Sequence, residues 1–111
     1  MLAFENRFTR HFPADSATGR EPRTVQNALY ARVEPEPVSN PKLLLWSEEA
    51  ATLLGLPSDA QTSETVRNVL AGNAMVDGSV PYATVYGGHQ FGHWAGQLGD
   101  GRAINLGEIG D

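Results

Sequence analysis

Tyr86-Gly87-Gly88-His89-Gln90-Phe91-Gly92-His93-Trp94-Ala95-Gly96-Gln97-Leu98-Gly99-Asp100-Gly101-Arg102 is the stretch that decides how this chain folds. Eight of the twelve glycines fall from Gly87 onward, interleaved with aromatic and β-branched residues, so helices give way here to strands and tight loops. The pattern predicts one strand over Tyr82 to Tyr86, a short second over Phe91 to Trp94, and a third over Arg102 to Ile109 with Ile104 and Leu106 on one face. Gly96, Gly99 and Gly101 then lie in the loop between the second and third strands. Without a Cβ they let the main chain approach a ligand closely and take positive φ. Successive backbone N–H groups in such a bend hold phosphate oxygens, and Arg102 adds a fork of charged donors.

The glycine order, G-x-x-G-x-G, is neither the Walker A pattern nor the usual dinucleotide fingerprint. Both of those lead into a helix whose N-terminus binds phosphate. Here the continuation, Arg102-Ala103-Ile104-Asn105-Leu106-Gly107, is strand-like. A glycine loop between two strands resembles, in architecture, the phosphate-covering hairpin of protein kinases.

Upstream of the glycines the sequence is helical and then broken. Ser47 is a good N-cap for a two-turn helix within Trp46 to Pro57, with Glu48 and Glu49 in its first turn and Gly55 and Pro57 stopping it. Ala50, Leu53 and Leu54 share a face and form an apolar stripe that calls for a partner. A second helix is expected over Ser63 to Ala71, where Val66, Val69 and Leu70 have helical spacing and Gly72 offers a left-handed cap. Residues 1–41 carry Pro13, Pro22, Pro35, Pro37 and Pro41 without a sustained period, and read as an extended arm. Within it Val25 to Val33 has the makings of a short helix or strand. Residues 42–111 read as the start of a lobe, and the unclosed last strand leads us to expect a longer natural protein.

Composition narrows the function. The chain is 41% hydrophobic and 19% charged, the usage of an ordinary globular domain. A net charge of -5 supplies no general attraction for nucleic acid or anionic membranes. No cysteine is present, which removes disulfides and thiolate chemistry from these residues. No apolar run approaches the roughly 20 residues of a membrane span, Met1 to Arg10 lacks the apolar stretch of a signal peptide, and Glu5 and Asp15 weigh against a mitochondrial presequence, so a cytoplasmic location is expected.

Tyr86-Gly87-Gly88-His89-Gln90-Phe91-Gly92, Gln97-Leu98-Gly99-Asp100-Gly101-Arg102 and Leu106-Gly107-Glu108 together resemble the signature of the selenoprotein O family, with weaker similarity through Pro35 to Pro41 and Ser47 to Leu56. The resemblance implies an α+β fold: the N-terminal portion of a protein-kinase-like fold, with short helices followed by an antiparallel β-hairpin carrying a glycine-rich loop. It implies an adenylyltransferase that moves AMP from ATP to Ser, Thr or Tyr hydroxyls of proteins, with Mg2+ or Mn2+. Gly99, Gly101 and Arg102 match family positions that contact the nucleotide. The catalytic and metal-binding positions of the family have no counterpart in these residues, which would pack on the remainder of a longer chain. An isolated piece is therefore expected to be inactive.

Several residues invite sharper readings that their contexts disfavour. His89 and His93 are four apart, but Gly92 between them works against the helix that would align two imidazoles on a metal. Asp100 followed by Gly101 reads first as a turn. Trp46 and Trp94 read as packing aromatics rather than base-stacking platforms. Glu34, Glu36, Glu48 and Glu49 are explained by solubility and helix-dipole pairing rather than by carboxylate catalysis. The competing functional class is a non-catalytic interaction module whose glycine-rich segment is a mobile docking loop.

Overall fold

The structure, a computed structural model, describes residues 2–17, 23–99 and 101–110. Its elements run in the order α1 (Arg7–His11), β1 (Tyr30–Arg32), α2 (Glu48–Leu53), a 3-10 turn (Ala60–Thr62), α3 (Glu64–Leu70), β2 (Tyr82–Thr84), β3 (Tyr86–Gln90) and β4 (His93–Leu98). The result is a small α+β piece with two antiparallel two-stranded ladders, β1 with β2 and β3 with β4. No helix among the described residues is long and apolar enough to cross a membrane.

The two expected helices form, for the expected reasons. Ser47 accepts a hydrogen bond from the Ala50 N–H at 3.2 Å and Ser63 one from the Val66 N–H at 3.3 Å, each supplying a partner to an orphan donor of the first turn. Gly55 and Gly72, at φ 66° and 79°, follow the helix ends in the left-handed region. The faces differ from expectation. In α2 the buried residue is Ala51, while Leu53 and Leu54 are exposed; in α3 Val66 and Val69 are buried and Leu70 is exposed. The α2 stripe therefore covers nothing among the described residues.

The core is aromatic and lies where the sequence suggested an arm. Tyr30 is 1% exposed, and its ring meets Tyr82 edge-on at 5.5 Å and Phe8 at 5.8 Å. Phe8 in turn stacks on Tyr82 at 5.1 Å and meets Phe12 at 4.9 Å. Val25, Ala28 and Ala31 are buried alongside. Residues 1–41, expected as an extended arm, contribute to this core: Tyr30-Ala31-Arg32 pairs with Tyr82-Ala83-Thr84, in the register Tyr30 to Thr84 and Arg32 to Tyr82, with Tyr30 and Ala31 both buried. Of the two options left open for Val25 to Val33, the strand is the one formed.

Between α1 and β1, Asp15 and Arg23 form an ion pair at 2.6 Å across the residues that lie outside the description. The Arg23 guanidinium donating to it, helped by the Ala17 and Ser16 backbone N–H groups, holds the Asp15 carboxyl below its ordinary 3.8, against an opposing effect of burial.

Candidate functional site

The hairpin is displaced from its expected place. Its turn is Phe91-Gly92, both at positive φ (51° and 79°), the geometry that a tight two-residue connection requires. Phe91 therefore belongs to the turn and not to a strand, and β4 runs from His93 to Leu98 through Gly96. The dense glycines misled the placement because several serve the ladder. A Cβ on Gly87 would come within 2.9 Å of the Trp94 ring, and one on Gly88 within 2.6 Å of Leu98. Large side chains of β4 lie flat across β3 at those points.

Beyond Leu98 the chain does not form the expected third strand. The chain bends at Arg102 and Ala103, and the expected ladder reduces to one bridge, Tyr82 with Asn105, closed by backbone bonds of 3.0 and 2.9 Å. The bends keep a strand from starting at Arg102, and further along the segment is held by residues 4–8 instead of by a strand: the Glu5 N–H donates to the Glu108 carbonyl at 2.9 Å.

The sequence-predicted site residues fall at this junction. Gly99 is buried, with Val25 where its Cβ would be and Ala31 close by, and its N–H donates to the Arg23 carbonyl at 3.4 Å. A Cβ on Gly101 would lie 2.8 Å from the Thr84 carbonyl oxygen. Both glycines are thus required for close approach of main chain to protein, a use that composition alone does not separate from close approach to a ligand. Asp100, read as a turn residue, lies outside the described residues. Gly96 sits in β4 at φ 89°, apart from the other two.

Arg102 is exposed and lines an open groove of about 280 Å3 with Pro35, Glu36, Leu70, Ile104 and Leu106. The far wall of that groove is fixed by Asn73, whose side chain accepts from the Val38 N–H and donates to the Val38 carbonyl, both at 2.7 Å, and by Gly72, which leaves room for Pro35. Pro35 and Glu36 therefore line this groove, a role that the proline pattern did not announce. The groove presents one cation, Arg102, and one carboxylate, Glu36, among apolar side chains.

Other candidates separate. His89 pairs with Trp94 and His93 with Gln90 in the ladder, so the two imidazoles emerge on opposite faces. Among the described residues no group of three His, Cys, Asp or Glu side chains stands together as a metal site. Glu48 and Glu49 occupy the first turn of α2; Glu49's own backbone N–H, and then the Ser47 hydroxyl at 3.1 Å, hold its carboxyl below the ordinary 4.5. Trp94 is 67% exposed, so its expected burial is corrected: its support is the flat Gly87 backbone and little else.

Residue 19 onward is matched, through residue 111, by the sequence model of a family described as Protein adenylyltransferase SelO. Among curated relatives, a protein nucleotidyltransferase YdiU of Nitrosospira multiformis is 53% identical over 106 residues, covering 96% of this chain and 19% of its own length. The protein of the same name from Rhodopirellula baltica is 56% identical over 108 residues, 97% of this chain and 20% of the relative. That from Flavobacterium johnsoniae is 49% identical over 108 residues, 97% and 21% respectively. The chain spans about a fifth of the length of the curated relatives it matches.

Proposed function

This chain belongs to the SelO family of protein adenylyltransferases, and on that premise we propose that its residues form one wall of the ATP site of an enzyme that transfers AMP to Ser, Thr or Tyr hydroxyls of proteins. In that reaction the hydroxyl oxygen bonds to the α-phosphorus of ATP, the α–β bridging bond breaks, pyrophosphate leaves, and the hydroxyl gives up its proton. Arg102 neutralises phosphate charge, and Gly99 and Gly101 let the segment that carries it lie tightly against Val25 and Thr84. The proposal differs in one respect from a pure backbone cradle: the Gly99 N–H already has a protein acceptor, so side-chain charge carries more of the phosphate contact.

Mg2+ or Mn2+ would supply charge neutralisation at the triphosphate, with its ligands on polypeptide other than these residues. A cytoplasmic setting, with protein substrates and ATP as partners, belongs to the same proposal. The observation that supports it most is the family match running through the segment that ends in an exposed, groove-lining Arg102. A second reading, a docking role for the β3–β4 hairpin, is favoured by Phe91, which is fully exposed, and by Trp94.

Titration calorimetry of the intact protein with ATP and magnesium separates the two. The enzyme reading expects saturable heat at one site per chain; no heat at millimolar ATP would remove it and leave the docking role.

A further inference from the structure

We infer that Glu108 is a positioning residue for Arg102, an inference that rests on the nucleotide site proposed above. Asn6, which precedes α1, sits at φ 54° and makes no side-chain cap; its amide instead donates to the Gly78 carbonyl at 2.6 Å. The first N–H groups of a helix have no intrahelical acceptor. Glu108, remote in sequence, takes two of them, accepting from the Arg7 N–H at 3.0 Å and the Phe8 N–H at 2.9 Å. Its charge also reaches Tyr82, whose phenol is pushed above its ordinary 10.0 by burial first and by Glu108 second.

The residues on the Arg102 side of Glu108 are anchored one after another. Gly107 lies against the Phe4 ring, where a Cβ would collide, the Leu106 carbonyl accepts from the Ser79 hydroxyl, and Asn105 exchanges two backbone bonds with Tyr82. Only Ala103 and Ile104 separate this anchored strap from Arg102. Arg102 makes no side-chain hydrogen bond or ion pair among the described residues, so its placement comes from the backbone of the strap. Glu108 joins that strap to α1, and through Phe8 to the aromatic core. Removing its carboxylate takes away the bonds to Arg7 and Phe8 and leaves the Glu5 N–H bond to its carbonyl and the Gly107 contact with Phe4 to hold the strap there.

The test uses the intact protein, with ATP as the probe. Glu108→Ala should weaken ATP binding about five-fold by calorimetry and raise KM for ATP in parallel, while kcat at saturating ATP stays within about two-fold of the parent. Glu108→Gln keeps one carbonyl acceptor, and its Kd should rise only about two-fold. An unchanged Kd in folded Glu108→Ala, or a fall in kcat with KM unmoved, overturns the inference. Where Glu108→Ala does not fold, the glutamine variant decides: a raised Kd upholds the inference and a parental one overturns it. An Arg102→Ala protein is measured alongside. If it loses ATP affinity and Glu108→Ala does not, the positioning role fails and the nucleotide reading stands; if neither loses affinity, the nucleotide reading itself has failed.

Discussion

Tyr30→Ala is expected to cost about 3–5 kcal/mol of folding free energy, the range for removing a buried aromatic, measured as a lowered denaturant midpoint at unchanged slope. Three separate contributions are lost together. The ring is the largest fully buried side chain and touches both Phe8 and Tyr82. Its hydroxyl donates to the Thr9 carbonyl at 2.7 Å, which ties the middle of α1 to β1. The Arg32 guanidinium lies 5.6 Å from the ring centroid. Tyr30→Phe should cost only about 1 kcal/mol, because it removes the hydroxyl and leaves the ring contacts in place. A small domain has on the order of 5 kcal/mol or little more to lose, so the alanine variant should lower the amount of folded protein while the phenylalanine variant does not. Equal effects of the two would mean that the hydroxyl, and not the packed ring, holds α1 against the sheet.

Arg102→Ala is the second large effect and falls on binding rather than on folding. Hydrogen bonds between charged groups contribute about 1.5–3 kcal/mol, so ATP affinity should drop about ten- to a hundred-fold. The melting temperature should barely move, since the side chain is exposed and holds no other protein group among the described residues. Arg102→Lys should fall in between, retaining charge but losing the planar fork that matches phosphate oxygens. Adenosine, which lacks phosphate, should bind the parent and the alanine variant alike. A loss of adenosine affinity equal to that for ATP would show that Arg102 acts on the groove's shape and not on phosphate.

How much of this could be read in advance follows from how local the determining interactions are. The two helices around Glu48 to Leu53 and Glu64 to Leu70 were legible because a capping serine, first-turn acids and a following glycine act within one or two turns. The strand at Tyr30 was half legible. A short helix or strand over Val25 to Val33 was as far as the local pattern reached, because its burial depends on Phe8 and Tyr82, which no local pattern links to it. The hairpin was placed about one strand too far along, because glycines were assigned to a loop when Gly87 and Gly88 in fact make room for Trp94 and Leu98. Phe91 at positive φ gave no signal at all, since a bulky residue is not the expected occupant of that region.

The site shows the same division. Gly99, Gly101 and Arg102 stand out in the sequence and follow the end of β4, where Gly99 meets Val25 and Gly101 meets Thr84. That these glycines face protein, and that Pro35 and Glu36 line the groove, required long-range contacts: the clamp of Asn73 on Val38 and the fit of Pro35 over Gly72. Glu108 was noticed only as part of a motif. Its bonds to Arg7 and Phe8 span most of the chain, a distance at which sequence periodicity says nothing.

The central claim is that these residues serve transfer of AMP, and it is tested most directly by following the label. The intact protein is incubated with magnesium and ATP labelled in separate experiments at the α- and the γ-phosphate, with protein acceptors present. Hydroxyl-linked α-label on protein, with γ-label released as pyrophosphate, is the predicted result. Transfer of γ-label to protein, or of neither label, would contradict the account.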